Sequence, residues 1–227
     1  MFATLTGLGL SSAAGLNAYI PLLLVGLVAR FTDLIPLGPA WAWLEHPVTL
    51  ISLGVLLVVE FAADKFPALD SVNDVVQTIV RPTSGGITFG AGASTVELSE
   101  ITGEASGAAA SSSGGVDWGP VIAGVLIALA FHLVKALSRP VVNTMSLGCA
   151  APVVSFLEDV VSFLTSLMAI LLPVLILIVF PAMVFAAVWV VRRRRRLRAE
   201  RRDRRRSDRE DAALQSGDDL DDPRREW

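Results

Sequence analysis

Lysine, cysteine, histidine and tyrosine are nearly missing from this chain. Its 227 residues include one Cys, two His and one Tyr, and Lys stands only at positions 65 and 135. A single Cys149 excludes an intramolecular disulfide and reads as a small apolar packing residue. With His46 and His132 as the only histidines, a His-rich metal site is excluded. No GxGxxG, Walker loop, HExxH motif or Cys pair occurs, and no nucleophile elbow supports a Ser-His-Asp hydrolase. These absences point away from an enzyme and imply neither metal nor cofactor. No basic residue precedes Arg30. A secretory signal peptide wants a basic start, so the N-terminal apolar stretch is read as a retained helix.

Positive charge is scarce everywhere except at the C-terminal end. The first 191 residues hold five bases (Arg30, Lys65, Arg81, Lys135, Arg139) against twelve acids, a net of −7. The remaining 36 hold fourteen against ten, a net of +4. Hydrophobic residues make up 53% of the chain and mean hydropathy is +0.60. Because the charge is gathered in the tail, the rest is richer in apolar runs than the average conveys. The class this implies is an all-α, polytopic transmembrane helix bundle.

Leu5–Ala29 is 25 residues without a charge, long enough for a tilted span, with Pro21 expected to kink it. Gly7, Ser11, Ala14 and Ala18 recur at small-residue packing spacing. Asn17 and Tyr19 sit near the kink, either for an interhelical hydrogen bond or for a polar site beside an interrupted helix. Trp41 and Trp43 suit an interfacial aromatic belt. A second apolar segment starts at Pro47 and runs to about Asp64. After Pro67, Val72, Val75, Val76 and Ile79 recur at helical spacing, predicting a short amphipathic or re-entrant helix over 70–80, stopped by Pro82. The Gly-, Ser- and Ala-rich stretch that follows reads as a flexible linker. Trp118–Leu137 is the third apolar segment. Pro152–Val191 has 40 residues with only Glu158 and Asp159 charged. As one helix it would reach about 60 Å, twice a bilayer core of about 30 Å. Pro173 therefore divides it into a tight hairpin of two spans.

Five spans follow, with four plus a half-span as the alternative. The predicted units are residues 1–82 (two spans plus the short helix), the linker 83–116, 117–191 (about three spans) and the tail 192–227. The tail begins with twelve Arg against three acids between Arg192 and Arg209. By the positive-inside rule it is cytoplasmic, in a plasma (inner) membrane, which places the N-terminus outside. Directly after a span, such a run sets topology and touches anionic lipid headgroups rather than nucleic acid. The acidic end of the tail has the composition of a disordered segment. Homo-oligomerisation is left open.

Glu60 and Asp64 lie four residues apart, on one helical face, inside or at the end of the second apolar segment. Carboxylates at that depth cost roughly 2.5–3.5 kcal/mol each and face a protein interior. The expected answer is the cationic edge of the third segment, where His132, Lys135 and Arg139 fall within about 60° of one another. Lys65, Glu158 and Asp159 complete the candidate polar intramembrane site. For Lys135 and Arg139 the plainer reading is snorkelling to the headgroups. The echo of NDVVQTI (73–79) in EDVVSFL (158–164) reads either as acids favoured by a helix dipole or as an internal duplication around a central site.

The ordered motifs GLSSAAGLNAYIPLLLVGLVARF, EFAADKFPALDSVNDVVQTIVRPTSGGI, HLVKALSR and PVVSFLEDVVSFLTSLMAILLPVL resemble a family of small bacterial integral membrane proteins of unassigned function, common in actinobacteria. The resemblance covers about Gly7 to Val191. It implies a polytopic inner-membrane protein. It marks Asp64, Lys65, Arg81, Pro82, His132, Lys135, Glu158 and Asp159 as matching positions and gives none a role. The function expected is a small permease or channel-like transporter for an ion or small polar solute. The alternative is a non-transporting scaffold or lipid-interacting protein whose charges hold its helices together.

Overall fold

The computed structural model describes residues 2–32, 34–63, 67–94, 116–146, 151–193 and 195–196. Among them the structure is all-α, without strands. Its helices are α1 (Phe2–Leu16), α2 (Tyr19–Phe31), α3 (Pro47–Ala63), α4 (Pro67–Ser94), α5 (Trp118–Ser146) and α6 (Ala151–Leu171). A 3-10 turn at Pro173–Leu175 then leads into α7 (176–193). A second 3-10 turn, Ala42–Glu45, precedes α3. Residues 1–187 form one compact unit, and 188–227 cluster separately.

Burial in the first unit runs opposite to that of a water-soluble domain. Arg81 is 1% exposed and Glu60 and Lys135 each 4%, whereas Val58 is 68% and Ile178 70% exposed. Many large aliphatic and aromatic side chains face outward, while Glu60, Arg81, His132, Lys135, Asp159 and several Ser and Thr face in. In a lipid environment apolar surface gains nothing by hiding, and helices associate instead through small residues and polar contacts. Trp118–Ala136, Val153–Leu171 and Pro173–Arg193 are long and apolar enough to cross a membrane.

The Gly- and Ala-rich surface of α4 organises the packing. A Cβ on Gly85 would overlap the Cβ of Ala128, and one on Gly124 would strike the Gly85 carbonyl. The α4 and α5 backbones therefore approach as closely as backbones can, with their directions opposed. Pro82 lies inside α4, which continues twelve residues beyond it. The expected stop at Pro82 and the expected linker from residue 83 are both corrected as far as Ser94. Small residues read as flexible when surrounded by water. Here they are the helix-packing surface, and tertiary contact overrides the local signal. The remainder of the expected linker, 95–115, lies outside the described residues.

The N-terminal apolar segment is also not the single kinked span that its length predicts. It breaks at Asn17–Ala18 rather than at Pro21. Pro21 sits in the first turn of α2, where its missing N–H costs nothing. The two halves fold back on each other. α1 runs antiparallel to α4 and α6: Gly7 meets Phe89, while near its far end Ala13 accepts from the Ser162 hydroxyl at 3.0 Å. If α2 continued in that direction, Gly26 would stand near the start of α4. Instead Gly26 packs on Leu44 and Leu50, and Trp41, three residues before Leu44, packs on Gly90. Three residues reach no further than about 11 Å, so Gly26 and Gly90 lie near the same end of the bundle. α1–α2 is thus a re-entrant hairpin with its tip inside. α3 leaves the Gly90 end, α4 returns to it, α5 leaves and α6 returns. The α6–α7 hairpin matches expectation, with Thr165 Oγ1 3.9 Å from Met183 Sδ.

Candidate functional site

The tip of this hairpin is made by one side chain. Asn17 Oδ1 accepts from the backbone N–H groups of Tyr19 and Ile20, at 3.0 and 3.1 Å. These are orphan donors at the start of α2, which an Asn side chain satisfies well. Its amide Nδ2 donates to Asp159 Oδ1 on α6 at 2.9 Å. Asn17 is 1% exposed, so the break is held by buried hydrogen bonds.

The carbonyls at the end of α1 carry the negative end of its dipole and lack intrahelical partners. Two buried cations answer them. Lys135 Nζ on α5 donates to Leu16 O at 2.9 Å, and Arg81 Nη1 on α4 points at Gly15 O from 3.4 Å. Ser84 Oγ donates to Ala18 O at 2.5 Å. Each cation also has its own carboxylate. Arg81 Nη2 lies 3.0 Å from Glu60 Oε1 on α3, and Lys135 Nζ lies 2.8 Å from Glu158 Oε2 on α6. Gln77 braces the first pair, donating to Glu60 Oε1 at 2.9 Å and accepting from Arg81 Nε at 3.1 Å. His132 Nε2 is 3.1 Å from Thr78 Oγ1, linking α5 to α4. Arg81 stands fourteen residues from the start of α4 and thirteen from its end, about 20 Å from either. The polar layer lies at mid-height of the longest helices.

Of the expected site residues, Glu60, His132, Lys135, Glu158 and Asp159 meet around the hairpin tip. Asp64, Lys65 and the side chain of Arg139 lie outside the described residues. The expected pairing of the second segment with the third is corrected. Glu60 pairs with Arg81 from the next helix, and Lys135 with Glu158 from the helix after it, so each base is neutralised by a neighbouring helix in sequence. Snorkelling is excluded for Lys135, whose side chain is 2% exposed. Arg81, Gln77 and Ser84 were absent from the expected site. The signal for them was present: Gln77 and Arg81 are spaced four apart in a region with almost no other base. Placing them on a helix thought to end at Pro82 hid their position. No group of three or more His, Cys, Asp or Glu able to hold a metal occurs among the described residues.

An inside-out helical bundle, entered by a broken helix whose ends meet buried charges, defines a class of all-α structure with an internal polar centre and helices long and apolar enough to cross a membrane. Within that class, the chain belongs to the family described as Domain of unknown function (DUF4126), whose model matches residues 4–193. The match begins in the first turn of α1 and runs through α7, ending two residues into the arginine run. No curated protein and no solved structure matches the chain.

Proposed function

We propose that this protein is a small multi-span permease for an ion or small polar solute in the bacterial inner membrane. One observation carries the reading: the re-entrant tip at Asn17–Ala18 brings two helix ends, whose backbone groups are met by side chains, to a mid-height layer of buried ionisable groups. Interrupted helices whose ends face a polar centre are how many transporters build a substrate site in a lipid environment. Ionisable residues at that depth are retained for function by default, because they are expensive. In this reading the protein is not an enzyme, and its partners are the bilayer and anionic headgroups near the arginine run, where Arg193 stacks 5.1 Å from the Trp189 ring centre. The positive-inside rule puts that run in the cytoplasm. The end of α3 and the start of α6 then face the cytoplasm too, while the start of α1 and Arg30 face outward.

The second reading, a non-transporting scaffold, is favoured by the closeness of the two ion pairs, each within 3.0 Å, since mutual neutralisation is also what a purely structural charge needs. Liposomes carrying a pH-sensitive dye, loaded with wild type or Glu60→Gln, separate the two. The permease reading expects a proton or ion flux in wild type that the equally well-folded variant loses. Absence of flux in both, with the variant dissociating in detergent, establishes the scaffold instead.

A further inference from the structure

We infer that the end of α1 and Glu158 together form a binding site for a small monovalent cation, in which the Lys135 ammonium is the resident, tethered occupant. This deepens the permease reading and rests on it for its biological meaning, though not for its chemistry. The Lys135 Nζ is held by oxygens of the kinds that ligate alkali cations: the Leu16 carbonyl at 2.9 Å and a Glu158 carboxylate oxygen at 2.8 Å. The carbonyl belongs to the C-terminal end of a helix, which adds a partial negative charge. Gly15 O, one residue earlier, is met by Arg81 only at 3.4 Å. Asp159, beside Glu158, is anchored by Asn17, which also sets the tip, so the oxygens are held by the break itself.

An ammonium is close in size to a potassium ion and carries the same charge. Here it is attached to a flexible four-carbon arm on a different helix from either oxygen. Lys135 and Glu158 are also unequally buried, with side chains 2% and 18% exposed. The carboxylate is therefore the more accessible of the two and the ammonium the more deeply buried. A free cation arriving at Glu158 finds its ligands already assembled, and the lysine arm is what keeps it out. Arg81 cannot take this part: its guanidinium is planar, always charged and clamped by both Glu60 and Gln77.

The test removes the arm and offers the ion. Lys135→Ala, purified in detergent, is melted in choline chloride and in NaCl or KCl at equal ionic strength, beside wild type and Lys135→Arg. The expected result is a rise of about 3 °C or more in the variant's melting temperature with Na⁺ or K⁺ over choline, and none in wild type or Lys135→Arg. Variant protein that holds together in Na⁺ or K⁺ but aggregates in choline supports the site equally. A folded variant with the same melting temperature in all three salts overturns it, and so does an equal shift in wild type. Aggregation in every salt brings in Lys135→Gln, whose insensitivity to cations likewise overturns the site. Cation binding without any flux in liposomes keeps this site and sinks the permease; flux without cation-specific stabilisation does the reverse.

Discussion

Glu60 and Arg81 show how a single pair of residues commits a chain to one environment. Both are almost fully buried, 3.0 Å apart, and Gln77 bonds to each of them. Removing one partner leaves the other charged and stranded, which costs about 3–5 kcal/mol, while replacing both with apolar residues of similar size is far less harmful. Glu60→Leu and Arg81→Met should therefore each destabilise strongly, and the double variant should recover much of the loss. A double-mutant cycle of unfolding in detergent measures this, and strictly additive losses contradict a direct pair. Asn17 works differently. It carries no charge, yet it accepts two backbone N–H bonds and donates one to Asp159, so one amide both ends a helix and ties the end to α6.

At the scale of the helix, α4 holds the main lesson. Its second half is TSGGITFGAGAS, a composition that reads as linker, yet it is the most closely packed surface of the bundle. Gly85 and Gly124 let two backbones touch, and any side chain at either forces them apart. Gly54 on α3 is the natural control, because a Cβ there meets nothing within 4 Å. Gly85→Leu should cost about 1–3 kcal/mol or more by overpacking, whereas Gly54→Leu should leave stability unchanged or slightly raised, as expected for helix interiors. Comparable melting temperatures for both variants would falsify the α4–α5 contact.

For the molecule as a whole, the folded-back α1–α2 unit changes which loops share a side. A straight α1–α2 span puts the segment after α2 opposite the α4–α5 connection; the hairpin puts both on one side. In a Cys149→Ser background, single cysteines at Leu34 and Ser106 should react with an impermeant maleimide from the same face of intact cells. Labelling of only one of them from outside contradicts the hairpin. In the orientation proposed above, Arg30 lies on the outer side, where it donates to Glu45 O at 2.9 Å beside the Trp41 turn.

Much of this was legible in the residues alone. Apolar run lengths give the helical class, α3, the division near Pro173 and the α6–α7 hairpin, because a helix's rise per residue and the width of a bilayer are local quantities. The scarcity of charge before residue 192 singles out Glu60, Lys135, Glu158 and Asp159 by cost alone. Which charge meets which, where the first helix breaks and whether Pro82 ends a helix were decided only by tertiary structure. Each of those depends on what lies alongside: Asp159 holds Asn17 from 142 residues away, Glu60 reaches the neighbouring helix for Arg81, and the glycines after Pro82 are helical because α5 is there to pack against them. Local sequence carries the period and the length of a segment, but the contact that settles its conformation comes from elsewhere in the chain.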